Sequence, residues 1–148
     1  MPGTGVPTIA VELLGPPVPP AFIDNGCGPK TKLGWIARLV PDNVYGVNLG
    51  PAARIHDHCY YLCGLFRRAK GGEVSARSEV RRYLAWLEES TGEAWEAWEV
   101  DVTRADSDAY FRRNVFTLMR AKRGTCTSWR VALYYWLGVR FFGGAAAG

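Results

Sequence analysis

From Pro51 onward the apolar positions recur at helical spacing. Pro51 suits a first helical turn and no breaker intervenes before Gly64, so Ala52 to about Arg68 is predicted as a helix. Past the break at "AKGGE", Val80, Tyr83, Leu84 and Leu87 mark a second helix over Ser75 to Glu89. Phe111, Val115, Leu118 and Met119 give one face of a third, Thr103 to Lys122. Trp129, Ala132, Leu133, Trp136 and Val139 form the stripe of a fourth, Ser128 to about Phe141. The fourth mixes aromatic residues with Arg130 and Arg140, as an interfacial helix does, but it reads first as a packing helix that supplies apolar cover the others lack.

The pattern upstream is different. Residues 1 to 21 end in "GPPVPP", where proline fixes φ and removes backbone donors, so they read as an extended arm ahead of a single domain over 22–142. Between Ile23 and Gly50, "DNGCGP" and "PDNVYGVNLGP" signal turns, and only "LGWIARLV" is apolar enough for a short element; the region reads as ordered loops. The Gly/Ala tail over 143–148 reads as flexible.

Composition narrows the class. With 148 residues, 48% hydrophobic and 22% charged, the chain is expected to be one globular, mainly α domain. No stretch reaches the roughly 18 apolar residues of a spanning helix. The first residues lack the basic start of a secretory signal, so export would need another route. A net charge of +4 permits an anionic partner without requiring one. The arginine pairs read as solvated helix faces with no base-stacking pattern beside them, so no nucleic acid is expected.

Chemistry concentrates in "RIHDHCYYLCG", Arg54 to Gly64, which holds both histidines and two of the four cysteines. At about 100° per residue, Ala52, Cys59, Tyr60 and Cys63 fall within about 60° of His56, with Asp57 on the flank and His58 on the far, outer side. A half-buried imidazole needs a partner for its second nitrogen. On the third helix Asp108 lies at the edge of the buried stripe while Asp106 points roughly 160° away, so Asp108 is the carboxylate that faces inward. Two antiparallel helices carrying His56 and Asp108 would give a base with its orienting acid. No serine or cysteine stands in an obvious nucleophile elbow, so the base would activate water. Asp57 and carbonyls of the glycine-bearing "DNGCGPK" loop would suit a hard cation that polarises an ester carbonyl.

Taken together, "HDHCYY", the upstream "NGCGP" and the downstream "DAYF" resemble the phospholipase A2 superfamily, in its reduced microbial and viral branches. The resemblance implies a phospholipase A2-like fold: two long antiparallel core helices, a calcium-binding loop and here a helical insertion over 69–102. It implies that His56 is the general base, that Asp108 orients it and that the Tyr60 hydroxyl supports Asp108. Asp57 would ligate Ca2+ together with the loop positions Asn25, Gly26 and Gly28, and a neighbouring NH would serve the oxyanion. The activity implied is calcium-dependent hydrolysis of a glycerophospholipid acyl ester at a membrane surface. Ser107 stands where the disulfide-rich members carry the cysteine that pairs with the one in the HDxCY helix, so Cys59 lacks that partner.

Other readings compete. His56, Cys59 and Cys63 with Cys27 or Cys126 could form a zinc site, though the short CxxC knuckles typical of structural zinc are missing. Cys59 and Cys63 could equally be small buried hydrophobes, and Cys27 and Cys126 could form one bridge. At the level of function the rival is a phospholipase-like fold with weak or no turnover, serving as a structural or docking part of a larger assembly such as a viral or secreted particle.

Overall fold

The computed structural model describes residues 12–22 and 42–142. The chain is mainly helical. A two-stranded hairpin, β1 (Asn43–Val44) and β2 (Val47–Asn48), is followed by α1 (Gly50–Lys70), α2 (Val74–Thr91), the short α3 (Ala97–Val100), α4 (Arg104–Arg120) and α5 (Thr125–Phe142). All four long helices stand where the spacing predicts them, each within three residues at either end.

Local chemistry accounts for the boundaries. Pro51 occupies the first turn of α1, and Arg67, Arg68 and Lys70 fill its last turn, where positive charge offsets the exposed carbonyls. A capping box opens α4: the Thr103 hydroxyl accepts from the Asp106 amide at 3.1 Å, and the Asp106 carboxylate accepts from the Thr103 amide at 3.2 Å. The region read as loops up to Gly50 does contain a hairpin. Val44 pairs with Val47 across Tyr45 and Gly46, both at positive φ, the turn whose twist matches paired strands. Arg123, in the α4–α5 turn, donates to the Tyr45 carbonyl at 2.6 Å and ties this hairpin down.

Two apolar clusters sit at opposite ends of α1. Ala52 and Ala53 join Val47, Leu49, Phe111, Val115, Met119, Val131, Ala132 and Tyr135. Leu62, Leu65 and Phe66 join Ala76, Tyr83, Leu87 and Val100. The polar residues His56 and Tyr60 fall on the stretch of α1 between them, held by packing on both sides. Contacts run in opposite directions along the two helices: His56 meets Asp108 and Phe111, and Tyr60 meets Asp108 and Arg104, so α1 and α4 are antiparallel.

The described part of the proline-rich arm does not stand apart from the helices. Asn114, buried on α4, accepts from the Leu14 amide at 2.7 Å and donates to its carbonyl at 2.8 Å. Arg54 donates to the carbonyls of Pro19 at 2.9 Å and Phe22 at 2.5 Å, and the Tyr83 hydroxyl donates to Pro17 at 2.6 Å. Proline-rich backbone has carbonyls to spare, and these donors take them up. Gly15 has φ +132°, and a Cβ there would come within 2.6 Å of the Ile55 side chain, so only glycine lets the arm lie this close to α1.

The buried face of α5 is turned from the expected one. Ser128, Val131, Ala132 and Tyr135 are buried, whereas Trp129 and Leu133, placed in the predicted stripe, are exposed. Ser128 can be buried because its hydroxyl donates to the Gly124 carbonyl at 2.8 Å, and an apolar pattern does not count such a residue.

Candidate functional site

At the centre of the α1–α4 interface, His56 Nε2 lies 2.9 Å from Asp108 Oδ1. Asp108 is fully buried, and two further donors reach it: the Tyr60 hydroxyl on Oδ1, and Arg140 Nη1 from the last turn of α5 on Oδ2 at 2.9 Å. Burial is the largest single influence on this carboxyl and works against its charge. The hydrogen bonds from His56, Tyr60 and Arg140 together outweigh it and hold Asp108 below the ordinary carboxylate range. Because the carboxylate only accepts, Nε2 must carry the proton, and the lone pair of His56 lies on Nδ1. Nδ1 faces the Asp57 side, 4.0 Å from its Oδ1. The ring stacks on Phe111 at 4.7 Å and meets the tilted Tyr60 ring at 4.2 Å between centroids, which restricts rotation and fixes the direction of Nδ1.

Tyr60 is buried and remains a donor: burial first, then its bond to ionised Asp108, raises its pKa well above the usual phenol value. Arg104 approaches the same hydroxyl at 3.4 Å and donates to the carbonyl of Arg140 at 2.9 Å. It thereby joins the first turn of α4 to the last turn of α5, satisfies a carbonyl that the ending helix leaves open, and sets the position of Arg140. Neither Arg104 nor Arg140 is found by reading motifs. The signal available for Arg140 is topological: the α4–α5 turn is short, and Arg140 lies about as far beyond it as Asp108 lies before it.

Asp106 points outward into its cap, as the helical angle implies. His58 does not: it is buried, contrary to its expected outer position. The helical angle assumes one covered face, but α1 is covered by α4 on one side and by α2 and the arm on the other. His58 sits among Phe22 at 4.9 Å, Tyr83 at 5.3 Å and Tyr61 at 6.2 Å, with no hydrogen-bond partner for Nδ1 among the described residues. Burial, helped by the nearby Arg54 charge, lowers its pKa from 6.5 to about 4.

This histidine makes stability depend on pH. A basic group whose pKa is depressed in the folded state is bound by a proton more readily when unfolded, so its contribution is complete above 6.5 and is lost as pH falls toward 4. The loss is about 3 kcal/mol over that window. Urea unfolding with chelator present should give a slope in this range that His58→Phe removes; an unchanged slope in the variant would refute the assignment.

Of the cysteines, Cys59 packs as a buried residue and Cys63 is half-buried. The Cys59 thiol is pushed up to about 12 by burial, opposed by a hydrogen bond with Ser107. Cys126 is exposed and has no disulfide partner among the described residues, and Cys27, its possible bridge partner, lies outside them. Among the described residues no group of three or more His, Cys, Asp or Glu side chains converges as metal ligands; Cys27, one of the two cysteines that could complete a zinc set with His56, Cys59 and Cys63, lies outside them.

Asn25, Gly26 and Gly28 also lie outside the described residues. The ends of their segment are located. Phe22 is held against α1 by Arg54 and His58, and the Asp42 carbonyl accepts from the Leu49 amide at 2.7 Å just ahead of α1. Both ends therefore lie beside the half of α1 that carries Asp57. Among the described residues no helix is long and apolar enough to cross a membrane. Compared with family models, with curated proteins and with solved structures, the chain matches none.

Proposed function

We propose that this protein hydrolyses an acyl ester of a glycerophospholipid in a calcium-dependent reaction, on a phospholipase A2-like fold. The observation that carries the reading is the 2.9 Å bond from His56 Nε2 to a buried, ionised Asp108, which leaves the other ring nitrogen available as a base.

In this mechanism a water gives its proton to His56 Nδ1 as its oxygen attacks the acyl carbonyl carbon. Asp108 keeps the ring in the productive tautomer and offsets the imidazolium charge that forms. The same Nδ1–H then returns its proton to the glycerol oxygen as the ester C–O bond breaks. Asp57, a partly exposed carboxylate beside Nδ1, is a hard oxygen donor suited to Ca2+, and Asn25, Gly26 and Gly28 would complete the ligands. Bound there, the ion would polarise the ester carbonyl and stabilise the charge that develops on its oxygen.

The test is acyl release from mixed phosphatidylcholine and phosphatidylglycerol vesicles with calcium or with chelator. The expected result is release with calcium that falls about a hundredfold or more under chelator, since electrostatic stabilisation by such an ion is worth several kcal/mol. Release indifferent to chelator would contradict the mechanism.

One observation favours a second reading, a structural component of a larger assembly with little turnover. Arg140 already neutralises Asp108 in part, so the carboxylate can be understood as the tie that joins α1, α4 and α5. Absence of release under every condition would favour it.

A further inference from the structure

We propose that the outer face of the α4–α5 hairpin docks on an anionic lipid bilayer, which deepens the hydrolase reading by assigning the side of the molecule that meets the membrane and rests on that reading for its effect on turnover. The turned register of α5 leaves Trp129, Leu133, Leu137 and Phe141 exposed, Phe141 at 76%. They recur every fourth residue and so run down one side of the helix, with Tyr134 exposed alongside. The only charged residues on α5 are Arg130 and Arg140, both exposed.

Charge is distributed to match. Residues 109–148 contain seven Lys or Arg and no Asp or Glu, whereas residues 1–108 contain eleven cations and fourteen carboxylates. The surplus positive charge of the chain thus resides in the hairpin and its continuation. The helical insertion over 69–102 holds eight carboxylates and four cations. An anionic surface would attract the hairpin and repel that segment, which orients the molecule before contact.

The occupant follows from shape and sign. The apolar residues stand on a convex helix surface with tryptophan, tyrosine and arginine among them, the composition of a helix that lies in a bilayer interface. A second copy is disfavoured, because a two-fold contact through this face would set cation against cation. The face also reaches the site: Arg140 holds Asp108, and the next residue, Phe141, is the most exposed of the row.

The experiment is flotation of the full chain with phosphatidylglycerol or phosphatidylcholine vesicles, in chelator so that binding is read apart from catalysis. Parent protein should bind the anionic vesicles about tenfold or more tighter than the neutral ones, and Leu133→Glu/Leu137→Glu should lose about tenfold or more of that binding. Trp98→Glu, which alters an equally exposed aromatic residue within the acidic segment, should bind like the parent. Failure of the parent to float, equal loss in Trp98→Glu, or a parent dimer that the hairpin variant dissociates would each overturn the proposal. Hydrolysis of a dispersed short-chain substrate should be the same in parent and hairpin variant. If that substrate is cleaved and the vesicles are not bound, the docking face fails alone; if the vesicles are bound as described and no substrate is cleaved, the catalytic reading fails and the docking face stands.

Discussion

His56→Gln should bind vesicles like the parent and release acyl chains about 10²- to 10⁴-fold more slowly, the contribution of a positioned general base. Glutamine is close in length to histidine, and its amide NH2 can donate to Asp108 Oδ1 in place of Nε2–H. It cannot take a proton from water at neutral pH. Tyr60 and Arg140 still reach Asp108, so the three helices stay joined and the variant should fold. The loss should therefore appear in kcat, with KM and the circular dichroism spectrum little changed. Hydrolysis within a few fold of the parent would remove His56 from the base role.

The parts of this molecule that were legible in the sequence are those governed by one helix at a time. Helical period located α1, α2, α4 and α5, and the same geometry separated Asp108, turned inward, from Asp106, which caps its own helix. A carboxylate on a buried stripe demands a donor, and the histidine on the facing helix supplies one. What escaped depends on what lies against a helix. His58 is buried because Phe22 and Tyr83 arrive from other elements to cover it, and nothing in its own helix signals their approach. Ser128 and Tyr135 displaced Trp129 and Leu133 from the buried face of α5, since side chains with hydroxyl groups can be buried once those groups are satisfied. Arg104 and Arg140 act from helix ends through long side chains, so their targets are set by how α4 and α5 lie together and by no spacing within either.

Asp108→Asn should reduce hydrolysis by about 10³- to 10⁴-fold, the scale seen when a base loses the acid that selects its tautomer. The native carboxylate accepts from three donors at once, which obliges Nε2 to carry the proton. An asparagine side chain presents one accepting oxygen and one donating NH2. If the oxygen answers Arg140, the NH2 faces His56 and favours the tautomer with Nδ1 protonated, in which the nitrogen needed by the water has no lone pair. The structural cost should be moderate, about 1–3 kcal/mol, because the bond from Arg140 is kept and the Tyr60 hydroxyl can accept from the new NH2. The variant also carries a signature in pH. Asp108 has a folded-state pKa below 3.8, so its ionisation stabilises the protein above that value and the contribution is lost as pH falls through the folded pKa. The asparagine variant should lack this part of the acid limb while keeping the separate loss between pH 6.5 and 4 that belongs to His58. Unfolding curves from pH 7 to 2, with acyl release measured on the same preparations, test both expectations. A variant that loses the stability but retains turnover within tenfold would make Asp108 a structural tie alone; one that loses turnover at small structural cost is what an orienting acid requires.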